Sequence, residues 1–227
     1  EVIQLMTTLV FEPLKGQLPN IITIYDPACG SGGMLTESEN YLIEEEHLAY
    51  KGDVYLYGKE INDETYAICK SDMMIKGKDP SNIRVGSTLS TDEFSTQKFD
   101  FMLSNPPYGK SWSSEQKYIK DGKDVIDTRF QIKLKDYWGH WETVVATPRS
   151  SDGQLLFLME MVDKMKAPTA NKIGSRIASV HNGSSLFTGD AGSGESNIRR
   201  YIIENDLLDA IVQLPNNLFY NTGITTY

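Results

Sequence analysis

The stretch that decides the fold is Ile21-Ile22-Thr23-Ile24-Tyr25-Asp26-Pro27-Ala28-Cys29-Gly30-Ser31-Gly32-Gly33. Its first five residues are β-branched or aromatic and predict a short buried strand. The glycines that follow predict a tight turn, in which the backbone can approach a ligand without an obstructing Cβ. A helix is predicted next, from Met34 to His47. The stretch therefore predicts a strand, a turn and a helix in succession.

The same alternation continues along the chain. Further helices are predicted at residues 1–11, 63–76, 154–166 and 197–204. Further strands are predicted at residues 54–58, 82–85, 99–104, 176–180 and 208–214. This alternation is typical of an α/β fold with a mostly parallel sheet and helices on both faces. Ligands of such sheets bind beyond the carboxyl ends of the strands, where Asp26, Glu60 and Asn105 are predicted to lie.

Residues 1–227 are predicted to form one catalytic domain, in which residues 109–152 are a long loop insertion without clear periodicity. From Lys110 to Lys135 this segment carries seven basic residues and four acidic ones, interleaved with Trp112, Tyr118 and Phe130. The segment is a candidate DNA-facing loop, and an ordinary solvated loop is the alternative.

Composition restricts the function further. The net charge of −9 is unusual for a chain that binds DNA alone. If the substrate is DNA, a partner subunit is therefore expected to supply most phosphate contacts, with some help from a local basic patch. Two cysteines give no disulfide framework and indicate a reducing cytosol. The apolar runs are too short to cross a bilayer. The histidines and cysteines lack the spacing of metal ligands, and no metal is expected.

The second informative stretch is Asn105-Pro106-Pro107-Tyr108, at the end of a predicted buried strand. The Asn105 side-chain oxygen and the Pro106 carbonyl can each accept one N–H of an amino group. Two fixed φ angles hold these acceptors rigid, and the Tyr108 ring can stack on a base. Asn105, Pro106 and Tyr108 are therefore the candidate catalytic residues for methyl transfer to a base nitrogen. The alternative is a proline-rich turn that closes a strand.

The glycine turn is the candidate binding site for the methyl donor. The N-terminus of the following helix favours a carboxylate, such as that of a methionine-like group, and Asp26 can hold the matching ammonium. Glu60 can accept hydrogen bonds from ribose hydroxyls, and Ser87 can reach an adenine. Leu35 stands where a dinucleotide fingerprint needs a small residue, which argues against NAD. The candidate cofactor residues are Asp26, Ala28, Cys29, Gly30, Ser31, Gly32, Glu60 and Ser87.

These motifs resemble those of the modification (M) subunits of type I restriction–modification systems, which are DNA adenine-N6 methyltransferases. The glycine turn resembles the family's S-adenosylmethionine loop, Gly58-Lys59-Glu60-Ile61-Asn62 its ribose-binding segment, and Asn105-Pro106-Pro107-Tyr108 its catalytic motif. The C-terminal runs Ile198-Arg199-Arg200, Ile211-Val212-Gln213-Leu214-Pro215, Phe219-Tyr220 and Thr222-Gly223-Ile224 are similar to its later sheet and helices. Ser87 departs from the family, where an Asp is common.

The resemblance implies a Rossmann-like S-adenosylmethionine-dependent methyltransferase fold. It implies that S-adenosyl-L-methionine is the cofactor and that double-stranded DNA with a flipped-out adenine is the substrate. The implied partners are a specificity (S) subunit, a second M subunit and a restriction (R) subunit. The chain is also expected to be a fragment, which lacks the family's N-terminal helical domain and C-terminal tail.

Two alternatives share these sequence features. A protein-glutamine or RNA guanine methyltransferase also uses Asn-Pro-Pro-aromatic, because an amide or exocyclic nitrogen needs the same two acceptors. The Asp26-Pro27-Ala28-Cys29 turn and the C-terminal runs favour DNA. The second alternative is a non-catalytic module that retains the fold as a scaffold and does not bind S-adenosylmethionine.

Overall fold

The structure, a computed structural model, describes residues 1–170, 172–219 and 223–227. The strands are β1 (Ile21–Asp26), β2 (Asp53–Glu60), β3 (Ile83–Val85), β4 (Phe101–Ser104), β5 (Lys120–Asp121), β6 (Asp124–Val125), β7 (Gln131–Lys135), β8 (Trp141–Val145) and β9 (Arg176–Ser179). The helices are α1 (Val2–Phe11), α2 (Gly33–Ile43), α3 (Asp63–Ile75), α4 (Gln116–Ile119), α5 (Gln154–Asp163), α6 (Ser184–Phe187) and α7 (Gly194–Glu204). The chain divides into a first unit, Glu1–Asn105 with Met161–Ser179, and a second unit, Pro106–Glu160 with Val180–Tyr227.

The first unit contains a five-stranded sheet in the order β3-β2-β1-β4-β9. Every neighbouring pair in this sheet is parallel. From β1 the chain continues outward to β2 and β3 on one side, then returns to β4 and β9 on the other. The order therefore reverses between β1 and β4, which makes their carboxyl ends the topological switch point where α/β folds bind ligands. The prediction of an α/β fold with a mostly parallel sheet is confirmed.

The core of the first unit explains why its central strands are mostly apolar. The side chains of Ile24 and Tyr25 in β1 and of Phe101 in β4 are fully buried. The ring of Phe11 from α1 meets the ring of Phe101 edge-on at 4.8 Å, and Tyr25 stacks on Phe99 at 4.5 Å. Strands of a parallel sheet are covered on both faces, so runs without polar alternation are what this position requires.

The second unit contains two antiparallel hairpins, β5–β6 and β7–β8. Strand β7 alternates between exposed Gln131, Lys133 and Lys135 and buried Ile132 and Leu134. The prediction that residues 109–152 form an irregular loop was therefore wrong. The alternation of polar and apolar residues in β7 is the feature of the sequence that indicates a strand there. The assignment of residues 1–227 to one catalytic domain with an insertion stays a prediction.

Other element boundaries also differ from those predicted. Helix α2 ends at Ile43 rather than His47, and α7 begins three residues early because the Ser193 hydroxyl caps its first turn. Residues 208–214 form no strand, and Leu208 and Ile211 are about half exposed instead of paired in a sheet. Tyr220 and Thr222, which belong to the C-terminal runs that resemble the M-subunit family, lie outside the described residues. Across the described ranges, no helix combines the length and apolar character needed to span a membrane.

Arg129 carries the largest buried charge cluster of the second unit. Its guanidinium is 2.6 Å from Asp127 and 2.9 Å from Glu160, and the side chains of Arg129 and Glu160 are at most 3% exposed. Removing one member of a buried ion pair leaves the other charge desolvated.

We therefore expect Arg129→Ala to lower the free energy of unfolding by about 3 kcal/mol in urea denaturation. Lys51→Ala, which breaks an exposed ion pair with Glu45, should change it by less than about 1 kcal/mol. Equal losses of unfolding free energy in Arg129→Ala and Lys51→Ala would contradict the larger contribution expected of the buried cluster.

Candidate active site at the carboxyl edge of the sheet

Asp26, the last residue of β1, connects the two sides of the switch point. Its Oδ1 accepts the Ser104 hydroxyl from the end of β4 at 2.6 Å and the Ala28 N–H at 2.9 Å. The side chain is only 2% exposed. Burial raises the pKa of Asp26 to about 7, and the bonds from Ser104 and Ala28 only partly oppose this shift. A buried carboxylate of this kind is stabilised by a cation placed beside it.

The turn after Asp26 exposes one glycine and buries another. Gly30 has a φ of 55°, and a Cβ built on it meets no atom within 4 Å, so this part of the turn faces open space. Gly32 has a φ of 85°, and its Cβ would lie 2.7 Å from the Cys69 sulfur of α3. Cys29 is buried, Ala28 is half-buried and Ser31 is exposed. The turn is therefore packed on α3 on one side and open to a ligand on the other.

Glu60, the last residue of β2, holds the glycine turn in place. Its Oε2 accepts the Gly30 N–H at 3.0 Å, and its Oε1 accepts the Asn62 N–H at 2.8 Å. Asn62 in turn caps α3 through the Thr65 N–H. The carboxylate thus connects the turn after β1 to the start of α3, a contact that the sequence analysis did not anticipate. Each carboxylate oxygen can accept a second hydrogen bond, which leaves acceptor capacity for ribose hydroxyls.

The loop after β3 also contacts the glycine turn. The Gly86 N–H donates to the Glu60 carbonyl at 2.8 Å, and the buried Thr88 hydroxyl donates to the Pro27 carbonyl at 2.5 Å. Ser87 lies between them and is half-buried. The sequence indicates Ser87 but not Thr88, because no residue near Thr88 indicates a partner 61 residues away.

The predicted catalytic motif begins at the same edge of the sheet. Asn105 directly follows Ser104, whose hydroxyl bonds to Asp26, and it is exposed. The first unit therefore brings Asn105 to the end of β4, beside the strand that ends in the glycine turn. Pro106 and Tyr108 belong to the second unit, where Pro106 is buried and Tyr108 is half-buried.

Part of the basic segment Lys110–Lys135, the candidate DNA-facing loop, lies inside the second unit, and its contact with DNA stays a prediction. Arg129 is buried in its ion-pair cluster, and Trp112 and Phe130 are core residues at 3% and 0% exposure. Tyr118 is 49% exposed. One of the seven basic residues and two of the three aromatic residues thus stabilise the unit and do not face solvent.

The sheet order and the turn at its switch point together define the fold of S-adenosylmethionine-dependent methyltransferases. The structure is similar to a type I restriction–modification methyltransferase subunit from Streptococcus thermophilus, with a TM-score of 0.71 and 26% identity. That match covers 99% of this chain and 42% of the other. A class I S-adenosylmethionine-dependent methyltransferase from Listeria monocytogenes shares the fold, with a TM-score of 0.64 and 15% identity.

The chain belongs to the N-6 DNA methylase family, whose model matches residues 1–227. It is 30% identical over 200 residues to the MjaVII methylase subunit of Methanocaldococcus jannaschii, covering 87% of this chain and 30% of that protein. It is 28% identical over 221 residues to the MpnII methylase subunit of Mycoplasma pneumoniae, a match that covers 93% of this chain and 36% of that protein. Both are type I restriction enzyme subunits. The chain spans about a third of the length of these relatives.

The raised pKa of Asp26 predicts a pH dependence of stability. Between the unfolded value of 3.8 and about 7 the folded protein retains a proton that the unfolded chain releases, so stability falls as pH rises through this window. The full shift corresponds to about 4 kcal/mol lost between about pH 4 and pH 8. Asp26→Asn removes this loss and keeps a side-chain carbonyl as acceptor. We expect it to match the wild type near pH 4 and to be more stable at pH 8 in urea denaturation.

The exposed Asp53→Asn at the start of β2 is the control and should follow the wild-type pH profile. If the free energies of unfolding of the wild type and of Asp26→Asn changed with pH in parallel, the raised pKa of the buried Asp26 would be contradicted.

Proposed function

We propose that this chain is the catalytic part of the modification subunit of a type I restriction–modification system, and that it transfers a methyl group to N6 of adenine in DNA. The observation that carries the proposal is the 2.6 Å bond from Ser104 to Asp26. It joins the end of β1, directly before the glycine turn, to the end of β4, directly before Asn105, at the topological switch point. Membership of the N-6 DNA methylase family supports the same reaction.

The chemistry proposed for the motif concerns the amino group of adenine, whose lone pair is delocalised into the ring. The Asn105 side-chain oxygen and the Pro106 carbonyl, which are adjacent in the chain, each accept one N–H. These bonds draw the nitrogen toward tetrahedral geometry and direct its lone pair away from the ring. Pro106 and Pro107 fix their φ angles and keep the acceptors oriented. Tyr108 stacks on the extruded base.

The residues at the glycine turn fit S-adenosyl-L-methionine, which supplies a sulfonium methyl group as electrophile when bound. Gly30 faces open space, so the backbone of the turn can approach a ligand closely. Asp26 is a buried carboxylate that a ligand ammonium would stabilise. Glu60 retains acceptor capacity for the ribose hydroxyls, and Ser87 lies on the adjoining loop for the adenine. The same proposal assigns Ala28, Cys29, Ser31 and Gly32 to the cofactor-binding turn.

The proposed partners are double-stranded DNA, a specificity subunit, a second modification subunit and a restriction subunit. The net charge of −9 supports a need for other subunits at the phosphate backbone. One structurally similar protein was solved in a study of complex assembly of a type I restriction–modification system. The proposed location is the cytosol, where Cys29 and Cys69 would stay reduced.

Asn105→Ala in the full-length protein tests the reaction. We expect methylation of unmethylated DNA to fall at least about 1000-fold while cofactor affinity stays within about 2-fold, because the exposed side chain is proposed to bond to the target amino group and not to the cofactor. Tritiated methyl transfer and calorimetry measure the two quantities. Parallel reactions on RNA and on protein substrates separate the alternatives. Unchanged DNA methylation in Asn105→Ala would remove Asn105 from the mechanism.

Glu60→Gln tests the ribose role and separates it from the support that Glu60 gives to the turn. We expect about 10-fold weaker binding of S-adenosylmethionine, because an amide presents one acceptor where the carboxylate presents two. A cofactor analogue without the ribose hydroxyls should lose less affinity in Glu60→Gln than S-adenosylmethionine does, because only the change in support of the turn affects it. If the variant lowers the affinity for both ligands by the same factor, Glu60 acts only by holding Gly30.

A further inference from the structure

The backbone that follows Tyr108 is held by hydrogen bonds within the second unit. The Gly153 N–H donates to the Lys110 carbonyl at 3.1 Å, and the Trp112 N–H donates to the Ser150 carbonyl at 3.0 Å. The Trp112 side chain is buried against Gly153, where an added Cβ would come within 3.3 Å of it. The residues after Tyr108 therefore have a defined path.

Asp152 makes the contact nearest to Tyr108 in this set. Its side chain is buried, and its Oδ1 accepts the Gly109 N–H at 3.0 Å. That N–H belongs to the planar peptide group that joins Tyr108 to Gly109, so the bond restricts the ψ angle of Tyr108. Gly109 itself has a φ of 68°, a conformation that favours glycine. The carboxylate thus fixes the backbone from which the Tyr108 ring projects.

The remaining contacts of Asp152 also suit a carboxylate. The Gln154 N–H donates to Oδ1 at 3.2 Å, the Gln154 Nε2 donates to Oδ2 at 2.8 Å, and the Ser184 hydroxyl donates to Oδ2 at 3.1 Å. An ionised carboxylate only accepts hydrogen bonds, so every one of these contacts matches it. The bond from the Gln154 N–H satisfies one of the N–H groups that lack an intrahelical partner at the start of α5. The bond to Gly109 is additional to helix capping.

Gln154 extends the contacts of Asp152 to the segment after β9. Its Nε2 donates to Asn182 Oδ1 at 2.7 Å, and its Oε1 accepts the Asn182 N–H at 3.2 Å. His181 Nδ1 lies 3.1 Å from the same Oε1. Burial lowers the pKa of His181 to about 4, so its ring is neutral near pH 7 and donates through Nδ1. The Asp152 network consists of Asp152, Gln154, His181, Asn182 and Ser184.

We propose that Asp152 is a positioning residue for methyl transfer, which fixes the Tyr108–Gly109 peptide and thereby orients the Tyr108 ring for the target base. The inference rests on the proposed function, which gives the ring its role. The Gln154 side chain and the Ser184 hydroxyl hold Oδ2 of Asp152, while the Gln154 N–H shares Oδ1 with the Gly109 N–H. Asp152 acts through Tyr108 and does not itself touch the substrate.

Single-turnover methyl transfer by the full-length protein tests the positioning role. We expect Asp152→Ala to slow transfer at least about 10-fold while cofactor affinity stays within about 2-fold, because a small displacement of an orienting group affects the chemical step most. Asp152→Asn keeps one oxygen for Gly109 and should give an intermediate rate. Equal losses of rate and of cofactor affinity in Asp152→Ala would indicate general damage to the fold and overturn the inference.

A double-mutant cycle with Tyr108→Ala shows whether Asp152 acts through the ring. If it does, adding Asp152→Ala to Tyr108→Ala should slow transfer by less than about 2-fold, since the oriented group is already absent. Losses that multiply would show that Asp152 acts independently of Tyr108 and would overturn the inference.

Hydrogen exchange separates this inference from the proposed function, because it needs no activity. Exchange in a peptide covering residues 107–112 should be faster in Asp152→Ala than in the wild type. It should be unchanged in Ser193→Ala, the matched control, which removes the side-chain cap of α7 in the same unit. Unchanged exchange in Asp152→Ala would overturn the inference whatever the activity. Faster exchange together with a wild-type protein that methylates no substrate would refute the proposed function, and the orienting role with it.

Discussion

The hydrogen bond between the Ser104 hydroxyl and the Asp26 carboxylate is the constraint on which the site depends. Strands β1 and β4 are neighbours whose chain connections run in opposite directions across the sheet, so no helix crosses directly between their ends. The polar bond links the two carboxyl ends in addition to the parallel pairing of β1 with β4. The arrangement requires a carboxylate to be buried, which is why the pKa of Asp26 rises to about 7.

The three turns at this edge are organised by the same kind of contact. In each case a side chain bonds to the backbone of the glycine turn or its flank: Asp26 to Ala28, Glu60 to Gly30 and Thr88 to Pro27. Loops that are fixed in this way lose little freedom when a ligand binds, so more of the contact energy appears as affinity. The site therefore obtains its rigidity from polar contacts, while the apolar core below it fixes only the positions of the strands.

A structural feature could be predicted from the sequence when the residues that indicate it lie close together in the chain. Strands β1 and β4 were predictable because continuous apolar runs that end in Asp26 and Asn105 are local patterns. The contacts of Thr88 and Asp152 were not, because their partners are 61 and 43 residues away and neither residue is unusual in its own segment. The strand predicted at residues 208–214 fails for a related reason. Ile211 and Val212 at its centre are β-branched and favour a strand, but a strand also needs a neighbour to pair with, which composition does not reveal.

The charge distribution connects the structure to the partners that the proposed function requires. Several cations of this acidic chain are used internally: Arg129 bonds to Asp127 and Glu160, Lys164 to Asp92, and Lys166 to Asp100. Arg129 and Lys164 are buried, so their charges are fixed by their partners and are not available for phosphates, whereas Lys166 is 39% exposed. In the basic segment, the exposed cations of β7 alternate with the core residues Ile132 and Leu134, so the spacing that supports the hairpin also directs those lysines outward. The positive charge available at the surface is thus smaller than the composition suggests, which is the physical reason to assign most phosphate contacts to other subunits.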